Sequence, residues 1–187
     1  MAHVNSLREI APGSVLLANT ARAADYLDRY EVTLPPGSQF TTDYLGLQIF
    51  ESGPIWVDWL MRVRNAVVKP FGLRTGVLPE ARADTHGHLN PGDKAGLFTV
   101  SHRIVDEIVM AETDRHLDFR ASVHQCQSPR GEVRVSVSTA VWFNNVWGRL
   151  YFVLIGPFHR LIVSDTLCRM RRRLCASHTS RRSRTCD

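Results

Sequence analysis

A period-two alternation between residues 115 and 143 is the feature that most restricts what this chain can fold into. In Arg115–His124 the odd positions Leu117, Phe119, Ala121 and Val123 are apolar, while His116, Asp118, Arg120, Ser122 and His124 are polar. Glu132–Phe143 repeats the pattern, with Val133, Val135, Val137, Val141 and Phe143 set against Glu132, Arg134, Ser136 and Ser138. Successive side chains of a strand point to opposite faces, so each segment is a strand with one apolar side. Ser128-Pro129-Arg130-Gly131 supplies the hairpin turn between them. Phe98–Ser101 and Ile104–Glu112 read as two further strands. The result is an antiparallel sheet with one buried face and one wetter face.

The flanking segments change period. Tyr30–Leu34 favours a strand, stopped by Pro35-Pro36-Gly37. Thr42 offers an N-cap for a short helix to about Glu51, and Ser52-Gly53-Pro54 ends it. Ile55–Lys69 carries Trp56, Leu60, Val63 and Val67 on one helical stripe and Asp58, Arg62, Asn65 and Lys69 on the opposite one. Residues 1–13 read as an irregular lead-in, and residues 79–95 as a long loop. The last element, from about Asn145 to Arg172, is helical, with Gly156-Pro157 inside it predicting a kink or a break. Projected at 100° per residue, Phe152, Ile155, His159 and Val163 share a face, and Arg149, Arg160 and Arg171 share a wet stripe. The order predicts an α+β fold: a curved antiparallel sheet gripping a long C-terminal helix, with two shorter helices between the first and second strands.

Length and charge bound the rest. With 187 residues, 44% of them hydrophobic, the chain suits one domain with a real core. Its net charge of +5 is unevenly placed. Residues 168–187 hold seven arginines and one acid, a balance of +6 that leaves −1 for residues 1–167. The body is therefore not basic, and no specific nucleic-acid partner is expected. The expected division is a domain over 14–173 and a disordered basic tail over 174–187. Cys126 stands apart from Cys168, Cys175 and Cys186, giving no disulfide framework. No signal peptide is read at the N-terminus, so a cytoplasmic location is expected. The uncharged run Leu150–Phe158 is too short for a membrane span, which needs about 20 apolar residues.

Three blocks carry a resemblance. Pro54-Ile55-Trp56 with Leu60–Asn65 and Phe71-Gly72-Leu73 is similar to the first block of the bacterial domain of unknown function 2867. Asp114–Arg120 is similar to its second block. Gly148-Arg149-Leu150-Tyr151 with Pro157–Val163 is similar to its third. The resemblance covers roughly residues 14–173 and implies a helix-grip fold like that of plant allergens and lipid-transfer domains. It also implies relatives in which this domain follows a nucleotide-binding dehydrogenase domain. No G-x-G-x-x-G follows a strand here, so no dinucleotide or other cofactor is expected.

The residues support three classes of function. A helix gripped by a sheet leaves room for a cavity, and Tyr151, Phe152, Ile155 and His159 would line it around a small apolar molecule. His116, Asp118 and Arg120 share one strand face, where an imidazole beside a carboxylate suits acid–base chemistry. The same three side chains equally suit a solvated face paired with Glu132 and Arg134. His159 reads either as a polar anchor in the cavity or as a core histidine bonded to a backbone carbonyl. The third class is association of the arginine tail with anionic lipid or nucleic acid. His86-x-His88 and Cys175-x-x-His178 do not make a four-ligand set, so no metal is expected. No G-x-S-x-G is present either.

Overall fold

A computed structural model describes residues 5–7, 11–14, 23–54, 56, 57, 59, 62, 88–95 and 98–184. Its strands are β1 (Asn5–Leu7), β2 (Tyr26–Leu34), β3 (Lys94–Ala95), β4 (Phe98–Arg103), β5 (Glu107–Thr113), β6 (Leu117–Gln127) and β7 (Val133–Phe143). Its helices are α1 (Thr42–Glu51) and α2 (Val146–Arg184). The strands form one antiparallel sheet in the order β1-β2-β7-β6-β5-β4-β3. This is an α+β fold with a long C-terminal helix packed against the sheet, chiefly on β2 and β7.

The alternation reappears as register. Phe119 pairs with Val141 and Val123 with Val137, so the apolar phases of β6 and β7 fall on the same face. That face carries the main core. Tyr30, Val32 and Leu34 of β2 join Val123, Val133, Val135 and Val137, and Leu167, Met170 and Leu174 of α2 close over them. Fully burying one such side chain contributes about 1.5–3 kcal/mol, so α2 is held mainly by this seam. The hairpin turn closes as its residues predict, with Gly131 N donating to Ser128 O at 2.9 Å. Gly131 holds φ +75 there, a left-handed conformation that glycine adopts without a Cβ penalty.

Several boundaries differ from the sequence expectations. Asn5–Leu7, expected to be irregular, pairs with Leu7 opposite Arg29. Strand β2 begins at Tyr26, four residues before the pattern becomes clean. Thr41 rather than Thr42 caps α1: its hydroxyl accepts from Tyr44 N at 3.2 Å. Thr42 is inside the helix and donates its hydroxyl to Val105 O at 2.8 Å. Pro157 does not break α2; it lies on the exposed side, where water can serve the carbonyl that loses its partner. Residue 174, the expected start of the basic tail, lies inside α2. Helix α2 continues to Arg184, and Leu174 is only 2% exposed, because it follows Leu167 and Met170 at helical spacing.

The expected helix Ile55–Lys69 falls mostly outside the described residues. Its residue Trp56, on the stripe that an amphipathic helix would pack inward, is instead 37% exposed. Residues 79–87 of the expected loop, including His86, also lie outside the described set. The end of that loop is pinned. Asp43, in the first turn of α1, takes Nε and Nη2 of Arg103 at 2.9 and 2.7 Å, and Leu89 N at 3.0 Å. His88 Nδ1 approaches the same carboxylate at 3.2 Å. Burial pushes the Asp43 carboxyl up, but these hydrogen bonds and the Arg103 charge outweigh it and hold it at about 2.

The start of α2 is built into the sheet end. Asn145 is its N-cap, accepting from Gly148 N at 3.0 Å through Oδ1. A Cβ on Gly148 would come within 1.9 Å of His116 O. Only glycine lets the helix approach the β5–β6 corner this closely.

Candidate functional site

Strand β2 places Tyr26, Asp28, Tyr30, Val32 and Leu34 in one phase, because side chains alternate along a strand. The last three are core. Asp28 is therefore a carboxylate in an apolar phase, and it is 4% exposed. Its register partner on β7 is Thr139, which also interrupts an apolar phase and is 1% exposed. Register partners point to the same face, so the carboxylate and the hydroxyl stand side by side beneath α2. From the helix, His159 Nε2 reaches Asp28 Oδ2 at 3.4 Å, with its side chain 14% exposed. Tyr26 donates its hydroxyl to the same oxygen at 2.6 Å.

The polar atoms here are incompletely served. Asp28 Oδ1, Thr139 Oγ1 and His159 Nε2 are all buried without a hydrogen-bond partner. The 3.4 Å approach of His159 is an ion-pair distance, not a formed hydrogen bond. Leaving a buried polar group unpaired costs about 1–3 kcal/mol, and two of these atoms lie on adjacent strands at matched positions. Burial, followed by the hydrogen bond to and charge of Asp28, pushes the Tyr26 hydroxyl far above its usual range; a hydrogen bond from Arg160 works the other way. Tyr26 is thus a fixed donor rather than a base.

Aromatic rings wall the polar group. Phe152 packs on Tyr26 with centroids 4.5 Å apart and on Phe143 at 5.4 Å. The edges of Tyr26 and Phe119 meet His159 at 6.4 and 6.1 Å. Phe98 stacks on Phe119 at 4.9 Å. The polar atoms are thus packed among aromatic rings between the sheet and α2.

Of the four helix residues expected at a cavity, Phe152 is buried and Tyr151, Ile155 and His159 are half-buried; Phe152 packs on the Tyr26 ring and His159 approaches Asp28. The alternative-site residues His116, Asp118 and Arg120 each have a separate partner. His116 precedes β6, its Nδ1 lies 3.2 Å from Asn145 Oδ1, and its carbonyl accepts from Asn144 N. Asp118 accepts from Asn144 Nδ2 at 3.4 Å. Arg120 lies over the Trp142 ring at 5.4 Å. These three side chains brace the corner where α2 begins and the adjoining sheet surface. Sequence reasoning missed Tyr26, Asp28 and Thr139. The available signal was a polar residue in the apolar phase of each strand, at 28 and at 139.

The opposite face of the sheet is not a wet surface at its centre. Glu107 is 0% exposed, and Ser122 and His124 are also buried. Ser14 and Ser122 each donate a hydroxyl to Glu107 Oε1 at 2.5 Å. Residues 11–14 cover this face, with Ala11 N donating to Ser138 Oγ at 3.3 Å. An open depression of about 670 Å³ lies beside this cover, bounded by Gly13, Phe40, His124 and Gln125 among others. Among the described residues, no cluster of three His, Cys, Asp or Glu side chains suits a metal ion.

Comparison with known proteins matches this geometry to no assigned chemistry. A crystal structure of a conserved protein from Geobacillus kaustophilus covers 81% of this chain and 97% of its own, at 7% identity and a TM-score of 0.38. Among curated proteins none matches. The family model for the protein of unknown function DUF2867 matches residues 20–166. That span takes in α1, the sheet from β2 to β7 and the first half of α2, and the chain belongs to the DUF2867 family.

Proposed function

We propose that this domain binds a small, largely apolar molecule between the sheet and α2, with Asp28, Thr139 and His159 holding its one polar group. The observation that carries the reading is the pair Asp28 Oδ1 and Thr139 Oγ1, buried at matched register positions and unpartnered. A ligand donor shared between them would recover the penalty of both. Phe98, Phe119 and Phe152 supply apolar walls. The rings close the site, so admission of a ligand requires them to turn or α2 to lift from β2.

N-phenyl-1-naphthylamine tests this, being neutral, apolar and equipped with a single N–H donor. Its fluorescence should rise on titration into the full chain, and mass spectrometry after gentle purification should find a co-purified apolar compound. Asp28→Asn and His159→Ala should each weaken the probe by about 1–3 kcal/mol, while His116→Ala leaves it unchanged. Equal affinity in Asp28→Asn and wild type, with both folded, would remove the reading. A second reading rests on His159 lying 3.4 Å from Asp28, the arrangement by which a carboxylate orients a general base. It requires turnover with a pH dependence lost in His159→Ala, whereas a binding module retains its ligand unchanged.

A further inference from the structure

Helix α2 has a second apolar side. Along its first half, Val146, Trp147, Leu150, Val153, Leu154, Phe158 and Leu161 are between 38% and 72% exposed. At 3.6 residues per turn they form one stripe, and it lies roughly opposite the face bearing Phe152 and His159. Single exposed apolar residues are ordinary, but a contiguous patch of this kind marks an interaction surface. By length and composition Val146–Ser177 is also apolar enough to cross a membrane. It does not stand free to do so, because Leu167, Met170 and Leu174 are buried in the core seam.

Charge decides what covers the stripe. Helix α2 contains nine arginines and one acid, Asp165, a net +8. No acid occurs between Val146 and Ser164. Arg149, with its side chain 68% exposed and its Nη2 3.9 Å from Asp25 Oδ1, borders the stripe on the side of Val146 and Val153, and Arg160 is exposed on the same border. A second copy on this face would bring like-charged helices together and set Arg149 and Arg160 of each against the other. An anionic surface would draw the same charges in, and tryptophan and leucine with flanking arginine suit the level of lipid headgroups.

We propose that the outer stripe of the first half of α2 seats this domain on an anionic lipid bilayer, lying in the interface rather than crossing it. The full chain is sedimented with vesicles of phosphatidylcholine alone and of phosphatidylcholine with about a third phosphatidylglycerol. Partitioning should be at least about ten-fold higher on the anionic vesicles and fall with added salt. The double variant Leu154→Glu with Leu161→Glu should lose that preference about ten-fold while keeping its circular dichroism and melting curve, since both side chains face solvent. Equal binding of variant and wild type overturns the proposal, as does failure of wild type to prefer the anionic vesicles. Sedimentation equilibrium supplies the remaining outcome: a dimer dissolved by the same substitutions would show that a second copy covers the stripe.

Discussion

The two faces of the sheet each bury a carboxylate, and they treat it differently. On the face away from α2, Glu107 receives hydroxyls from Ser14 and Ser122 beneath residues 11–14. On the face under α2, Asp28 has Tyr26 on one oxygen and leaves the other unserved, beside the unserved hydroxyl of Thr139. A buried charge is tolerated when its hydrogen-bonding capacity is filled. Glu107 thereby reads as structural: its partners are present and bury it completely. Asp28 is placed by the same strand geometry, yet the protein withholds part of what would satisfy it. That difference is what sets Asp28 apart as the proposed site. Asp43 falls with Glu107, since Arg103, Leu89 and His88 occupy both of its oxygens.

The largest expected effect breaks the fastened side. Glu107→Ala strands the Ser14 and Ser122 hydroxyls and frees residues 11–14 from the sheet, so it should cost about 3–5 kcal/mol in urea unfolding. Ser122→Ala keeps the carboxylate and one donor, and should cost about 1–3 kcal/mol. Were Glu107→Ala as mild as a surface substitution, within about 0.5 kcal/mol, the two faces would not differ as argued.

Acid sharpens the comparison next. The Asp43 carboxyl is held at about 2 in the folded chain against an ordinary 3.8. A depressed folded value means that the contribution is fully present above pH 3.8 and is lost as pH falls through about 2. It should be on the order of 1–2 kcal/mol, read as a loss of melting temperature between pH 4 and pH 2. Arg103→Met should reduce this limb and leave the behaviour above pH 5 flat. An unaltered limb in that variant would assign acid sensitivity to other carboxylates.

The strands were legible in the sequence because Leu117–Val123 and Val133–Val137 alternate without interruption. The same rule hid the candidate site. Asp28 and Thr139 break the apolar phase of β2 and β7, so the readable strand began only at Tyr30 and position 139 passed as a gap. Residues that serve a ligand depart from the pattern that packs a core, and a pattern reading skips them. His159 and Phe152 were legible because the surrounding helix face is otherwise apolar. The continuation of α2 was concealed by its arginines: Leu167, Met170 and Leu174 keep a core spacing of three and four within a strongly basic segment. Residues 11–14 carry no periodicity at all. Their place on the sheet depends on single hydroxyl and amide contacts to residues more than ninety positions away.

The smallest expected effect is the most discriminating, and it has the opposite sign. Thr139→Val is close to isosteric and removes a buried hydroxyl that has no partner. If the site is held open for a ligand, the empty protein should gain stability, by up to about 1 kcal/mol, because the desolvation penalty disappears with the hydroxyl. On the other face Ser122→Ala removes a hydroxyl that is used, so the two deletions should move the urea midpoint in opposite directions. Binding should separate them again. Thr139→Val should weaken N-phenyl-1-naphthylamine while Ser122→Ala leaves its affinity near wild type, because Ser122 faces away from α2. A stabilised Thr139→Val with weakened binding is the pattern of a residue kept for a ligand at a cost to the fold. Should Thr139→Val instead destabilise as Ser122→Ala does, the hydroxyl has a partner in solution, and Asp28 would be as fully served as Glu107.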